Sequence, residues 1–505
     1  MKKSNIALIG LYDTDSFSIC TLHATLKREA FNVSTIFFKR LSKDLTIIPP
    51  QDREISCLVR QVKELNPDII GISVRTVLFQ IASQITKAIK QESGALVVWG
   101  GVHPTIRPCQ CLESADIVCV GEGEGPIVDL ATRFSKGEGI DDIKNLCFKK
   151  NGAIIRNEIR PLVENLDSMP FPDYSSEDKY FLENGKVLPH RAHTNMIMTS
   201  RGCPFSCSFC CNSALRKIYD GKGRYVRRRS VDNVIDELIQ AKKTRNLKNV
   251  SFQDDVFTFD IEWLREFCGK YKKFIDLPFF CYCHPRATTE EMVRLLKEAG
   301  FCIAGIGIQS GSEEFRHRYL RRYDTNVEIV KCARLLSKYG IDYHCDILMD
   351  NPLETEKERQ ETFNLLMRLP KPFFPNTHTL TYFPELELTN LLLEKGMISE
   401  EDIEDKKQES YRRWTPHLDL TRDKENMFWD DLYFLASRKL PESIAIGLSR
   451  NIFLKRHPKL LTLPLRCIVR TKAGKCLLFL IRKGKQCLNK FSVKKRDTSR
   501  LWGEK

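Results

Sequence analysis

Residues 199–213 read TSRGCPFSCSFCCNS and place four cysteines within nine positions. Cys203, Cys207 and Cys210 follow a C-x3-C-x2-C spacing, and Cys211 stands directly behind them. The cluster follows the strand-like segment NMIMTS (195–200), so we expect it on the loop at the carboxyl end of a strand. Because thiolates are soft ligands that suit iron–sulfur clusters, zinc or copper, the spacing indicates a metal site.

The type of metal site follows from what the rest of the chain offers. A structural zinc site normally needs four ligands, yet Cys281 and Cys283 form only a C-x-C pair inside a strand pattern. Three cysteines on one loop can hold three irons of a cubane cluster and leave the fourth iron open. The 19 cysteines are odd in number and many stand singly in apolar runs, which is typical of reduced thiols and not of a disulfide framework. The alternative, three unrelated thiols, is disfavoured by the punctuation of the loop with Gly202 and Pro204.

The chain around the cysteine loop alternates strand and helix patterns from Asn195 to Met397. Its strand candidates are NMIMTS, VSFQDD, FFCYCH, IAGIGIQS, DYHCDILMD and HTLTYFP. Six such strand–helix units predict an α/β partial (β/α)6 barrel of the TIM type, with its chemistry at the carboxyl ends of the strands. We assign residues 195–405 to this barrel.

A second alternating region covers residues 1–140. Its short apolar runs are IALIGL, VSTIFF, DIIGIS, ALVVWGG and DIVCVGEG, with helical spacing between them. Five such strands predict a doubly wound, Rossmann-like domain with ligands at the strand ends. Residues 141–194, which contain MPFPDY, are interpreted as a linker, and residues 406–505 as an accessory region with a basic tail.

The net charge of +15 is concentrated at the carboxyl end, because residues 451–505 contain 16 Lys+Arg and 2 Asp+Glu. The remaining chain is close to neutral, which gives no support to nucleic-acid binding. Residues 475–496 mix an apolar run with lysines, as a segment on anionic lipid does; the plainer interpretation is a solvated basic end. No run approaches the roughly 18 apolar residues of a membrane span, and the first residues do not resemble a signal peptide. We expect a cytoplasmic protein, with weak peripheral membrane contact as the alternative.

The motif C-x3-C-x-aromatic-C, with Phe209 as the aromatic residue, resembles that of the radical S-adenosylmethionine (SAM) superfamily. The resemblance implies that Cys203, Cys207 and Cys210 hold a 4Fe-4S cluster whose open iron binds SAM. Reduction by an external donor of the flavodoxin or ferredoxin type would then cleave SAM to a 5′-deoxyadenosyl radical. Cys211 lies outside the motif.

Two further strand ends resemble the SAM-binding segments of that superfamily. SFQDDVF (251–257) offers Asp254 and Asp255 to the amino group of SAM as charge-assisted acceptors; an acid pair at a helix N-terminus is the alternative. GIGIQSGSEEF (305–315) offers Gln309 and Ser310. The segment 350–352 (DNP) and Glu385 depart from the glycine-rich family pattern, which suggests a different substrate pocket.

A doubly wound domain before such a barrel resembles the cobalamin-binding class of the superfamily. The matching segments are GISVRT (71–76), GGVHPT (100–105) and GEGEG (121–125), whose glycines suit close approach of a macrocycle. The resemblance gives as cobalamin contacts Ser73, Arg75, Thr76, Gly100, Gly101, His103, Gly121, Glu122 and Gly123. Because there is no D-x-H-x-x-G motif, His103 is more readily explained as a turn residue than as a cobalt ligand.

With these three cofactors, the resemblance implies a cobalamin-dependent radical SAM enzyme that methylates an unactivated carbon of a small-molecule metabolite. One alternative is radical oxidation or cyclisation with cobalamin retained, and another is a non-catalytic cobalamin or redox sensor. A third is a transfer-RNA methylthiolating enzyme, whose second cluster would need Cys20, Cys57 and Cys119. The sequence identifies neither the substrate nor a catalytic residue.

Overall fold

The computed structural model describes residues 3–42, 47–190, 192, 194–403, 423–439 and 441–470. Its first half is built on five parallel strands in the spatial order β5-β4-β3-β1-β2. This order reverses direction next to β1, as in doubly wound domains. The strands are β1 Asn5–Leu11, β2 Asn32–Phe38, β3 Ile69–Ser73, β4 Leu96–Gly100 and β5 Ile117–Cys119.

Helices cover both faces of this sheet, so the fold class predicted from the sequence is confirmed for the first domain. The strands are rich in Ile, Val and Phe because both of their faces are buried. One core layer lies against α2 and α3, and the other lies against α1 and α6. The helices are α1 Phe17–Arg28, α2 Asp52–Leu65, α3 Phe79–Glu92, α4 Val102–Ile106, α5 Pro108–Cys111 and α6 Glu124–Lys136.

The two core layers also decide the methylthiolation alternative. Cys20 and Cys119 are buried in one layer, whereas Cys57 is buried in the other, on the opposite side of the sheet. The three thiols therefore cannot share a second iron–sulfur cluster, and that interpretation is wrong.

The segment 141–194 is more ordered than a linker, because it contributes strands to both edges of the first sheet. β6 and β7 form an antiparallel hairpin beside β5, and β8 pairs in parallel with β2 and carries β9 as the new edge. These strands were missed because they are short, and much of β7 and β9 is exposed and lacks a buried alternation. They are β6 Leu146–Lys150, β7 Ala153–Arg156, β8 Lys179–Glu183 and β9 Lys186–Pro189.

The second half is an open six-stranded parallel sheet in the order β10-β13-β14-β15-β16-β17, which confirms the partial barrel. β17 begins four residues before the predicted segment HTLTYFP, because Pro375 is tolerated in this edge strand. The strands are β10 Met196–Ile197, β11 Ser200–Arg201, β12 Arg227–Arg228, β13 Val250–Phe252, β14 Phe279–Cys283, β15 Phe301–Gln309, β16 Asp342–Met349 and β17 Phe374–Thr379. β11 and β12 form a separate antiparallel pair.

Helices separate the barrel strands and pack one face of each strand into a single apolar core. They are α7 Cys211–Ile218, α8 Val231–Arg245, α9 Ile261–Phe274, α10 Glu290–Ala299, α11 Glu313–Leu320, α12 Asn326–Lys338, α13 Glu356–Arg368 and α14 Glu387–Glu394. Three short 3₁₀ helices also occur before residue 400: Thr76–Leu78, Leu166–Ser168 and Pro285–Ala287.

The first helix after residue 422 belongs to the barrel. Trp429 and Tyr433 are buried in the barrel core, and the Tyr433 hydroxyl donates to the carbonyl of Arg359 (3.1 Å). The carboxyl-terminal helices are α15 Lys424–Ala436, α16 Glu442–Ser449, α17 Ile452–Arg456 and α18 Lys459–Arg470. The predicted lipid-binding segment 475–496 lies outside the described residues. Among the helices that are described, none has the length and apolar character needed to span a bilayer.

Candidate functional site

The cysteine loop lies between β11 and α7, and its entry depends on glycine. Gly202 has φ +85°, and a Cβ at this position would lie 2.4 Å from the carbonyl oxygen of Tyr225. Any side chain here would push the loop off the β11–β12 pair. Cys207 is buried, whereas Cys203 and Cys210 are partly exposed at the strand ends.

Backbone contacts to two other elements fix the middle of the loop. The Ser208 amide donates to the carbonyl of Leu320 (3.1 Å), and its hydroxyl donates to the carbonyl of Tyr319 (2.5 Å). The Leu388 amide donates to the Ser208 carbonyl (3.2 Å). The thiols therefore sit on a loop held between α11 and α14.

The three thiols of the motif are neighbours on the loop. Among the residues that the structure describes, no three His, Cys, Asp or Glu side chains are placed to hold one metal ion. Cys203, Cys207 and Cys210 are nevertheless close enough to affect one another: burial raises the pKa of Cys203 to about 12, and the other two thiols add to the rise. In a cubane each cysteine binds a different iron, which is the spread that this loop provides.

Cys211 begins α7 and is a neighbour of the three thiols. Its thiol donates to Cys210, and this hydrogen bond lowers the pKa of Cys210 to about 7. That Cys211 lies outside the ligand set stays a prediction.

Arg322 was not identified from the sequence and lies directly beside the loop. Its Nη1 is 4.0 Å from Cys207 Sγ, and its Nη2 donates to the carbonyl of Gly307 (2.7 Å). Asp324 balances the charge, with Oδ1 3.3 Å from Arg322 Nε. A buried guanidinium at this position can stabilise negative charge on the Cys207 sulfur.

A stacked pair closes the other side of the loop. The ring of Phe205 lies on His284, with centroids 3.7 Å apart and planes at 16°. Burial lowers the pKa of His284 to about 2, and Arg322 and Arg286 reinforce the shift. His284 is therefore a neutral, packing residue near the thiols at physiological pH.

Of the predicted acid pair, only Asp255 is placed to reach a ligand. Asp254 is fully buried and accepts hydrogen bonds from the amide (3.0 Å) and hydroxyl (2.8 Å) of Thr199 and from the hydroxyl of Ser200. Asp255 is exposed, and it accepts from Asn212 Nδ2 (3.1 Å), which is also 3.7 Å from Cys210 Sγ. Asp254 therefore organises the loop, while Asp255 and Asn212 face the thiols.

The second predicted pair divides in the same way. Gln309 ends β15 with φ +67° and lies over Gly307, where a Cβ would be 3.0 Å from its Nε2. Ser310 is buried, and its hydroxyl lies 3.4 Å from Glu354 Oε1. We therefore retain Gln309 as a candidate SAM contact, whereas Ser310 packs into the protein interior.

The Glu354 carboxyl beneath Ser310 gives a test of this burial. Burial raises the pKa of Glu354 to about 8, against about 4.3 for glutamate in an unfolded chain. Between these values the folded protein holds a proton that the unfolded chain has lost, so stability should fall as pH rises. The total loss is of the order of 5 kcal/mol.

We expect Glu354→Gln to flatten this dependence. Melting temperatures measured from pH 5 to pH 8 should decline in the wild type and decline less in the variant, with exposed Glu400→Gln as the control. Equal slopes in wild type and Glu354→Gln would contradict the buried, protonated carboxyl.

In the first domain, the predicted strand ends meet at one edge of the sheet. Gly101 has φ +107°, and a Cβ there would be 2.9 Å from the Val74 carbonyl oxygen. The Thr105 hydroxyl donates to the Gly101 carbonyl (2.8 Å) and accepts from the Gly121 amide (2.9 Å), which ties two predicted segments together. A Cβ on Gly100 would make only an ordinary contact, with Cys119 Cβ at 3.8 Å.

The other predicted contacts of that edge differ in exposure. The His103 ring is fully buried and packs against Phe79 (4.9 Å between centroids), which does not favour a role as cobalt ligand. Thr76 is also buried, and Arg75 is half-buried and donates to the Leu11 carbonyl (3.3 Å). Ser73 is half-buried at the end of β3, next to Gly101. Of these residues, Ser73 and Arg75 remain candidates for contact with a ligand.

The segment GEGEG forms much of the contact with the barrel. Glu122 pairs with Arg201 Nη1 (2.8 Å) and Arg227 Nη1 (3.0 Å), and accepts from the Val163 amide (3.0 Å). Burial alone would raise the pKa of Glu122, but the two guanidiniums outweigh it and lower the pKa. A Cβ on Gly121 would lie 2.7 Å from the Tyr219 hydroxyl.

This segment therefore has a role beyond the predicted one. Gly121 and Glu122, predicted as cobalamin contacts, also join the two domains, whereas a Cβ on Gly123 would make only an ordinary contact, with Leu22 at 3.7 Å. The sequence could not reveal the pairing, because Glu122 and its partners are far apart along the chain. α4 packs against α7, so the strand ends of the first domain face the cysteine loop.

Comparison with known protein families identifies the domain in each half of the chain. The model of the Radical SAM superfamily matches residues 197–366, and that of the B12 binding domain matches residues 10–131. The chain therefore contains a radical SAM domain and an amino-terminal B12-binding domain, as the resemblance implied. A radical SAM domain binds a 4Fe-4S cluster and SAM, and a B12-binding domain binds cobalamin.

Individual relatives are more distant. The chain is 28% identical over 354 residues to an uncharacterised methyltransferase of Pyrococcus horikoshii, covering 68% of this chain and 72% of that protein. It is 24% identical to the anaerobic magnesium-protoporphyrin IX monomethyl ester cyclase of Cereibacter sphaeroides, covering 63% of this chain and 54% of that protein. The solved radical SAM methyltransferase TsrM of Kitasatospora setae has the same fold, with a TM-score of 0.63, 20% identity, and coverage of 78% and 76% of the two chains.

Proposed function

We propose that this protein is a cobalamin-dependent radical SAM methyltransferase that modifies an unactivated carbon of a small-molecule metabolite. The observation that carries the proposal is the apposition of the two strand-end edges, locked by Glu122, Arg201 and Arg227. Such an arrangement allows both cofactors to reach one substrate. When bound, the cluster supplies the electron that cleaves SAM, and cobalamin supplies a transferable methyl group.

In this function the chain itself binds the cofactors, orients them and shields them from water. Cys203, Cys207 and Cys210 would hold the cluster, and Asp255 and Gln309 would contact SAM. The strand-end segments around Gly100 and Gly123 would receive the corrin. We infer that the electron comes from an external protein of the flavodoxin or ferredoxin type, which suits the partly exposed cysteine loop.

The test is a product analysis with labelled SAM. Anaerobically reconstituted protein with cobalamin, methyl-labelled SAM, reductant and fractionated cell extract should form 5′-deoxyadenosine and S-adenosylhomocysteine, and should label a small molecule. The absence of 5′-deoxyadenosine from protein that contains the cluster would overturn the radical function.

Radical cyclisation is a second candidate, and its supporting observation is the relationship to the ester cyclase. It would give 5′-deoxyadenosine with neither S-adenosylhomocysteine nor a labelled product, so the same experiment separates the two reactions.

We further propose weak peripheral contact with anionic membranes through the carboxyl-terminal helices. Ile452 and Phe453 on α17 and Leu460 and Leu463 on α18 are between 48% and 65% exposed. These helices also carry exposed basic side chains, Arg456 and Lys459. Apolar side chains among cations are typical of surfaces that bind anionic lipid.

We expect the full chain to sediment with phosphatidylserine vesicles at low salt and to be released by about 0.5 M salt, because screening removes the attraction. Phe453→Ser should weaken vesicle binding by about thirtyfold, since about 2 kcal/mol of apolar burial is lost. Val327→Ser, at an exposed site on α12, is the control. Equal binding to neutral vesicles, or no effect of Phe453→Ser, would contradict this contact.

A further inference from the structure

The barrel sheet has two chemically different faces. Along β14, β15 and β16 the side chains that point to the helices are apolar and belong to the barrel core. The residues between them point to the other side, into the interior of the open barrel. That inner face carries Tyr282, Gly305, Gly307, His344 and Asp346, and the edge strand β17 adds Asn376 and His378. Packed barrel interiors are filled by branched apolar side chains, so this polar wall is an exception.

Asp346 is the centre of the polar wall. Its Oδ1 accepts from Asn376 Nδ2 (2.7 Å) and lies 3.3 Å from His378 Nε2 and 3.4 Å from His344 Nε2. All of these contacts fall on Oδ1, so within the described part of the chain Oδ2 has no hydrogen-bonding partner. The Asp346 side chain is 16% exposed, so a ligand in the interior of the open barrel can reach it.

Gly307 lies between Asp346 and the residues of the cysteine-loop edge, and the side chains of Gln309 and Arg322 pack over it, 3.0 and 3.4 Å from a built Cβ. In the register of the sheet, Gly307 is the neighbour of Asp346, about one strand spacing (~4.8 Å) away. The Gly307 carbonyl is held by Arg322, which lies beside Cys207. The polar wall is thus continuous with the edge where the cluster and SAM would be bound.

The charge of Asp346 is shared with two imidazoles. Burial would raise its pKa, but His344 and His378 outweigh burial and lower the pKa, so the group is a carboxylate. No lysine or arginine of the described residues pairs with it, and the imidazoles balance its charge only when they are protonated. A ligand that brings a permanent cation would therefore offset the cost of this largely buried anion.

We propose that Asp346, positioned by Asn376, His344 and His378, forms a substrate subsite that binds a protonated amino group. The subsite rests on the proposed function, because it places that group inside the barrel, near both cofactor edges. It narrows the substrate class to small molecules that carry a primary amine, held through Asp346 Oδ2.

The test measures binding without turnover, so it is independent of the radical reaction. Full-length protein with cluster and cobalamin, without reductant, is titrated by ligand-observed NMR with benzylammonium, benzyl alcohol and benzoate, which are similar in size. Wild type should prefer benzylammonium over benzyl alcohol at least about tenfold, which corresponds to one charge-assisted contact. Asp346→Asn should reduce this preference below about threefold, whereas Asp342→Asn, at the exposed start of the same strand, should retain it.

Three results would overturn the proposal: no ammonium preference in wild type, an unchanged preference in Asp346→Asn, or an equal loss in Asp342→Asn. Melting temperatures establish that the variants are folded. If Asp346→Asn does not fold, a crystal of the wild-type protein soaked with benzylammonium tests the proposal instead. The ammonium nitrogen must then lie within hydrogen-bond distance of Asp346, and any other position would overturn the proposal. Weaker binding of SAM to folded Asp346→Asn would assign the carboxylate to SAM and also overturn the proposal. Failure of SAM cleavage with intact ammonium binding would overturn the proposed function alone.

Discussion

Replacement of Cys207 by alanine should reduce 5′-deoxyadenosine formation at least about a thousandfold, a loss of about 4 kcal/mol in transition-state stabilisation. Cys207 is the most buried of the three thiols and lies beside Arg322. A cubane that loses one of three protein ligands is released or converted to a form that cannot position SAM. The checks are iron and sulfide content after anaerobic reconstitution and chromatography of the nucleoside product.

Cys211→Ala is the matched control, because it removes a neighbouring thiol from the same segment. We expect this variant to keep about four irons per chain and most of the activity, since the C-x3-C-x2-C set is intact. Full iron content and nucleoside formation in Cys207→Ala would refute the assignment of the loop, and so would complete loss of the cluster in Cys211→Ala.

Substitution of Glu122 by glutamine should uncouple methyl transfer from SAM cleavage. The neutral amide leaves Arg201 and Arg227 without this carboxylate at a largely buried contact, and breaking such a pair costs about 3 kcal/mol. If this cost falls on the docked arrangement of the domains, the equilibrium constant for docking decreases by about a hundredfold. Cleavage of SAM, which needs only the barrel, should decrease much less.

The measurement is the ratio of labelled methyl product to 5′-deoxyadenosine in Glu122→Gln and wild type. Exposed Glu138 supplies the control: Glu138→Gln should leave the ratio unchanged. A ratio in Glu122→Gln equal to that of wild type would show that the contact does not control the approach of the domains.

Much of the architecture can be predicted from local patterns in the sequence. The apolar runs rich in Ile, Val and Phe predicted ten of the parallel strands near their observed places, because strands buried in parallel sheets have few alternatives. The exceptions were β17, since Pro375 obscured the strand, and β8, a short parallel strand in the segment interpreted as a linker. The cysteine loop was equally visible, as its spacing is short and its chemistry restrictive.

The site was less completely predicted, although part of the missing information was present. In β13 the core-facing residues are Val250 and Phe252, so simple alternation continues to Asp254 and turns Asp255 toward the other face. The same argument applied to DYHCDILMD selects His344 and Asp346 as inner residues. By contrast, the pairing of Glu122 with Arg201 and Arg227 depends on how two domains dock, and no local pattern encodes it.

The strands β6 to β9 have a practical consequence for dissection of this protein. A fragment ending near residue 140 would strip the neighbours from β5 and β2, exposing two rows of unpaired amides and carbonyls. Such a fragment would tend to aggregate regardless of its affinity for cobalamin. A separable amino-terminal unit therefore has to extend to about residue 190, the end of the hairpin that covers β2.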